Sequence, residues 1–303
     1  MATIPPIAVV GQTASGKSDL ALDLAEVLGI PIISADAMQL YRGLDIGTAK
    51  VPVEERRGIP HFQLDQLDVH EDASVAAYQA HARADLDRVG SRAVIAGGSG
   101  LYLRAFLDHF EFPGQDPAIR SKLNEEGKIL GTDALHSRLQ SLDPAAAAVI
   151  HPNNLRRVVR ALEVIQITGR PFSASLPRYE YVYPGTVQIA IAWEKDHLDQ
   201  RINQRSQKMF DEGIIEEARL LEGLKDDATA CKATGYKEAR AVLAGEMTVA
   251  DAISQVALAT RQLASRQLKW FRRDPRIHWL PAGPQLLERA LEAANLDNPK
   301  SFA

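Results

Sequence analysis

The octapeptide GQTASGKS, Gly11 to Ser18, constrains this chain more than any other stretch. Gly11, Gly16, Lys17 and Ser18 fit the pattern G-x-x-x-x-G-K-[ST] without a mismatch. Such a loop belongs between a buried strand and a helix, where backbone N–H groups converge on an oxyanion at the positive end of the helix dipole. The flanks agree. Ile7–Val10 is a short apolar run. Lys17–Leu28 repeats apolar residues at helical spacing, with Leu20, Leu24, Val27 and Leu28 on one face, and Gly29 closes it. Gly11, Gln12, Thr13, Ala14, Ser15, Gly16, Lys17 and Ser18 are therefore candidate phosphate-binding residues. Lys17 brings a point charge. The Ser18 hydroxyl can ligate a Mg²⁺ that bridges phosphates, so Mg²⁺ is the expected cofactor.

The rest of the first third continues the pattern. Ile30–Ser34 reads as a strand that delivers Asp36 at its C-terminal end. Ala77–Val89 reads as a helix, and Ala93–Ala96 as a buried strand ending in Gly97-Gly98-Ser99-Gly100. Strand and helix in alternation predict a parallel α/β sheet, whose ligands sit beyond the C-terminal strand ends. The texture changes near Phe112-Pro113-Gly114. From Asp116 to Gly169 only helical patterning is present, followed by the Pro-, Ser- and Tyr-rich PFSASLPRYEYVYPG. Thr186–Ala192 reads as a strand again, and the remainder is mainly helical, over about 196–222, 236–244 and 249–273. Thr248, with Asp251 three residues on, suits an N-cap. NLDNPKSFA reads as a frayed tail. The expected fold is thus a P-loop NTPase-like parallel sheet flanked by helices, with an inserted all-helical subdomain. The core is 1–112 and 185–303, and the insertion 113–184.

Composition narrows the setting. With 46% hydrophobic and 24% charged residues the chain has a globular composition. No apolar run approaches a membrane span, and MATIPPIAVVG lacks the basic flank of a signal peptide. Cys231 is the only cysteine, which excludes an internal disulfide or a cysteine-cluster metal site. A cytoplasmic monomer is the expected form. The formal net charge of −4 gives no global pull toward nucleic acid, so any such binding must come from local basic clusters.

The loop does not name its ligand. A nucleotide hydrolase normally has a second core strand that ends in a metal-binding acid. Ala93–Ala96 ends in Gly-Gly-Ser. That absence weakens a plain NTPase and also a small-molecule kinase. A bare RNA-binding module would need neither the loop nor a strand-end Asp36.

Five stretches, taken in order, carry a more specific likeness: GQTASGKS, SADAMQLYRGLDIGTAK at 34–50, IPHF at 59–62, AGGSGLYL at 96–103, and TRQLASRQLKWFRR up to Arg273. Together they resemble the tRNA dimethylallyltransferases, also called isopentenyl-diphosphate:tRNA transferases, over nearly the whole chain. The resemblance implies transfer of a dimethylallyl group from dimethylallyl diphosphate to the exocyclic amine of the adenosine beside the anticodon, with diphosphate leaving. The phosphate loop would then grip the diphosphate. The amine's lone pair is delocalised into the purine, so attack needs a base within reach. Asp36 by its position alone is either that base or a solvated loop aspartate, and the resemblance favours the base. Arg201, Arg205 and Lys208 share a helix face that could be merely solvated. The resemblance points to Arg205 as the cation for the leaving group. Ser99 follows two glycines where its hydroxyl could bond the phosphate or the amine, or simply sit in a turn.

The resemblance also implies that Asp36, Ala37, Met38 and Gln39 line the entry of a base turned out of its stack. Two basic clusters could meet the tRNA anticodon stem-loop. One is Arg156, Arg157 and Arg160, in the insertion. The other is Arg261, Arg266 and Arg272 on the last long helix, with Lys269 and Arg273. Trp270 and Phe271 between them are either stacking platforms or core anchors. The chain departs from the family pattern at Gln12 for Pro, Ala37 for Ser, Phe62 for His, Asn154 for Asp and Thr234 for an aliphatic residue. None of these removes a group the chemistry requires.

Overall fold

The computed structural model describes residues 4–175 and 179–296. Part of the tyrosine-rich linker (176–178) and most of the tail read as frayed (297–303) lie outside the described residues.

The chain divides into two compact units: Met1–Leu107 with Tyr181–Ala303, and Asp108–Glu180. The first holds β1 (Ile7–Val10), α1 (Lys17–Leu28), β2 (Ile32–Ser34), β3 (His61–Phe62), α2 (Val75–Arg88), β4 (Val94–Gly97) and α3 (Gly100–Leu107). The second holds α4 (Pro117–Leu130), α5 (Thr132–Leu142), α6 (Pro144–Val149) and α7 (Leu155–Thr168). The first unit resumes with β5 (Val187–Ala192), α8 (Lys195–Asp211), α9 (Ile214–Glu217), α10 (Tyr236–Leu243), α11 (Val249–Phe271), β6 (Ile277–Pro281) and α12 (Leu286–Ala293).

All strand pairs are parallel, in the order β3-β2-β4-β1-β5-β6. Side chains alternate across the sheet, so β1 feeds both faces. Ile7 and Val9 pack with α1 and α12 through Leu20, Leu24 and Leu291. Ala8 and Val10 pack on the other face with Tyr78, Leu86, Phe106 and Phe271. A third cluster joins α8 to α11 with Tyr41 and Leu44 from the β2–β3 connection. The helical unit has its own core, centred on Leu123, Leu139, Val158 and Leu162.

Several expectations need correction. Val27 is exposed, so the buried face of α1 is carried by Leu20, Leu24 and Leu28 with alanines. The single helix expected over 196–222 breaks at Gly213, whose φ of +102° is readily adopted only by glycine. The Gly-Gly-Ser-Gly turn is also a helix start, because α3 begins at Gly100. The stretch after Arg273 contains β6, an added parallel strand, followed by α12. Thr248 does cap α11, accepting from the Asp251 amide at 3.1 Å.

Candidate active site

Sheet register gathers three loops at one edge. Val10 pairs with Gly97, and Ser34 with Ala96, so β1, β4 and β2 end side by side. The phosphate loop follows β1, Gly98 and Ser99 follow β4, and Asp36 follows β2. Gly97 makes this closeness possible. A Cβ there would lie 2.2 Å from the Ala35 carbonyl oxygen, so any side chain would push the Asp36 strand away.

The loop is held from behind by two helices. On α8, Arg201 Nε donates to the Ala14 carbonyl at 2.8 Å, and its guanidinium stacks over Trp193. Trp193 Nε1 donates to the Ser15 carbonyl at 2.9 Å. On α11, Gln267 accepts from the Thr13 amide at 2.8 Å and donates to the Gly98 carbonyl at 3.0 Å. Gln12, the departure from proline, donates to the Ala264 carbonyl at 3.2 Å. The loop's backbone is therefore fixed by bonds from within the chain, which limits the ordering cost of binding. Of these residues, Gln267 and Trp193 were not singled out from sequence. Their partners lie more than a hundred positions away, and no local pattern announces them.

Two cations face the loop. Lys17 Nζ donates to the Gln12 carbonyl, and Arg205 Nη1 donates to the Thr13 hydroxyl at 3.0 Å. Burial and the neighbouring Arg205 bring the Lys17 ammonium down from 10.5 to about 8, while Asp36 pulls the other way. Burial lowers the Arg205 pKa too, again against Asp36. Arg205 stays charged regardless. Lys208, on the same face, is solvated and pairs with Glu212.

On the acceptor side, Asp36 Oδ1 accepts from the Met38 amide at 3.0 Å. Its other oxygen makes no hydrogen bond within the described chain. Ser99 Oγ accepts from the Ala37 amide at 3.2 Å, which leaves its own proton to donate. The two expected loops are thus tied together by Ser99. Gln39 is held inside the chain: it accepts from Ser34 Oγ at 2.8 Å and donates to the Thr48 and Ala49 carbonyls. Behind them stands Tyr102, buried in α3 with its ring 4.8 Å from that of Tyr78. Burial, with Tyr41 and Asp36 nearby, pushes its phenol up to about 12.

The basic candidates divide into two sets. Arg156 and Arg157 at the start of α7, and Arg266 and Arg272 on or just after α11, are exposed. Arg160 is bound to Glu163 and to the Pro113 and Gly114 carbonyls, and Arg261 to Asn203. Asn154 caps α7 through the Arg157 amide at 3.2 Å, as aspartate would. Phe271 is a core anchor, while Trp270 is 39% exposed and covers Gly100.

No group of three His, Cys, Asp or Glu residues able to hold a metal occurs among the described residues. No described helix is long and apolar enough to cross a membrane. Ser18 is exposed in the first turn of α1. A lone hydroxyl beside a phosphate loop fits Mg²⁺, which keeps waters and is held largely by substrate phosphates.

Comparison with known proteins agrees with this arrangement. Residues 39–274 match the family model "IPP transferase". The chain is 51% identical to the tRNA dimethylallyltransferase of a Nocardioides species, over 97% of each chain. It superposes on the tRNA isopentenylpyrophosphate transferase of Bacillus halodurans with a TM-score of 0.68 and 36% identity, covering 99% of each. A eukaryotic dimethylallyltransferase solved acting on tRNA shares the fold, with a TM-score of 0.84 at 24% identity over 97% of this chain and 79% of that one. The loop, the strand-end carboxylate and the full-length likeness lead to one assignment: the chain belongs to the IPP transferase family of tRNA dimethylallyltransferases.

Proposed function

We propose that this chain transfers the dimethylallyl group of dimethylallyl diphosphate to the exocyclic amine of the adenosine beside the anticodon in tRNA. One observation carries the reading. Lys17 and Arg205 bond the phosphate loop at Gln12 and Thr13, and Asp36 follows a strand that ends beside that loop. Diphosphate leaves with concentrated negative charge, which the cations and the loop amides stabilise as it develops. The amine nitrogen forms a bond to the first carbon of the prenyl chain while that carbon's bond to the diphosphate oxygen breaks. The amine proton passes to the unbonded Asp36 oxygen. The Ser99 hydroxyl has a proton to offer to the phosphate or to the base. Ser18 would hold Mg²⁺, which when bound neutralises charge on the phosphates.

The helical insertion, 113–184 by sequence pattern, takes the anticodon stem-loop in this reading. Arg156 and Arg157, exposed and unpaired among the described residues, support that role, with Arg266 on α11 and Arg272 just after it contacting backbone. The chain would work as a cytoplasmic monomer. The test is direct. Unmodified tRNA and Mg²⁺ are incubated with the protein and either dimethylallyl diphosphate or ATP, and the digested nucleosides are weighed. Adenosine should gain one isopentenyl unit with the prenyl donor and no ATP. No mass gain under either condition would refute the reading.

A further inference from the structure

The connection between β2 and β3 carries Asp36 to Gln39 at its start, and a carboxylate from far along the chain holds its middle. Glu217, the last residue of α9, accepts from three successive amides: Asp45 at 2.9 Å, Ile46 at 2.9 and 3.0 Å, and Gly47 at 3.1 Å. Consecutive N–H groups converging on one anion form a nest, the kind of concavity that binds phosphate elsewhere. Here the chain fills it with its own side chain. The Tyr236 hydroxyl donates to the same carboxylate at 2.5 Å. The Tyr236 ring lies so close to Gly47 that a Cβ there would sit 2.3 Å from it.

This grip is wired to the candidate base. The carbonyls just after the nest, Thr48 and Ala49, accept from Gln39 Nε2 at 3.2 and 3.3 Å. Buried Lys50 closes the same segment, with Nζ 2.6 Å from the Tyr41 carbonyl, 2.6 Å from Asp45 and 2.5 Å from Asp65. Gln39 is three residues beyond Asp36, whose carboxylate is itself fixed by the Met38 amide. Among the described residues no comparable tie runs from Glu217 to the phosphate loop, which is held by α8 and α11.

We propose that Glu217 is a positioning residue for the transfer reaction: seated in the 45–47 nest, it sets the segment that aims Asp36. The role rests on the reaction proposed above. It predicts a selective defect and a chemical rescue. Removing the side chain in Glu217→Ala leaves a nest that a small carboxylate can refill. Its kcat should fall about tenfold, the size expected when amide donors lose an ionised partner. KM for dimethylallyl diphosphate should stay within about twofold, because the diphosphate grip is untouched. Sodium formate should restore most of the lost kcat, measured against sodium chloride at equal ionic strength. Glu217→Gln keeps the shape and fills the nest, so its kcat should fall about threefold without rescue by formate. A merely structural role would not discriminate between the two salts.

Thermal melting of both variants identifies any that fail to fold. If Glu217→Ala does, Glu217→Gln decides alone: a lowered kcat that formate does not change supports the role, and an unchanged kcat overturns it. Full kcat in Glu217→Ala beside an active unsubstituted chain overturns the role and leaves the reaction standing. A loss that formate does not touch more than chloride also overturns it. Absent transfer by the unsubstituted chain refutes the reaction, and this role with it.

Discussion

Asp36 and Lys17 answer to each other, so single substitutions should have linked effects. Asp36→Asn should lower kcat by about 10²- to 10⁴-fold, the usual worth of a positioned base, with the protein still folded. Rapid-quench assays of transfer measure this. Lys17 must be protonated to hold an anion. With its pKa brought down to about 8, kcat/KM for the prenyl donor should fall as pH rises through that value. Asp36 raises the Lys17 pKa and Arg205 lowers it. The alkaline limb should therefore move down in Asp36→Asn and up in Arg205→Ala, and a profile unmoved by either would contradict the coupling. Lys17 and the strand-end place of Asp36 are local patterns in the sequence, whereas the roles expected of Asp36 and Arg205 come only from the family resemblance. The bond from Thr13 to Gln267 joins positions 254 apart, and nothing in the stretch around Gln267 declares it. Gln39 is a different case. Its amide suggests base recognition, and three bonds within the chain leave it one oxygen lone pair to accept with.

At the level of elements, α11 braces two loops at once through Gln267. Gln267→Ala would leave the Thr13 amide and the Gly98 carbonyl without that partner, at about 1–3 kcal/mol. Urea unfolding should show the loss, together with a raised KM for the donor. Gly97→Ala is a stricter test, since the new methyl meets backbone and not a movable side chain. It should destabilise by about 1–3 kcal/mol or more and depress kcat by shifting Asp36. Periodicity recovered the strands β1, β2, β4 and β5 because buried parallel strands read as short apolar runs. It missed β6 because IHWLP mixes polar and apolar residues at a sheet edge that is only partly covered. It ran α8 into α9 because the apolar spacing continues past Gly213 while the backbone does not.

For the whole molecule, the acidic net charge makes arginines that are exposed, and unpaired among the described residues, the expected RNA grip. Replacing Arg156 and Arg157 together by glutamine should weaken tRNA binding. It should also flatten the plot of log affinity against log salt by about 0.7–0.9 per lost phosphate contact. Filter binding over a salt series checks both, and an unchanged slope would remove these residues from the interface. The sequence texture changes from alternating to purely helical near Phe112, while the compact helical unit runs Asp108–Glu180. The Leu107 carbonyl accepts from the Val182 amide at 2.8 Å, and the His109 amide donates to the Glu180 carbonyl at 3.3 Å. The first and last residues of the Asp108–Glu180 unit are thus held on neighbouring backbone. Closing a loop grows dearer only with the logarithm of its length, about 0.6 kcal/mol for each doubling. Lengthening or trimming that unit by whole helical turns should therefore cost little in closure entropy, so length changes in relatives of this chain are expected to fall within it rather than within the sheet.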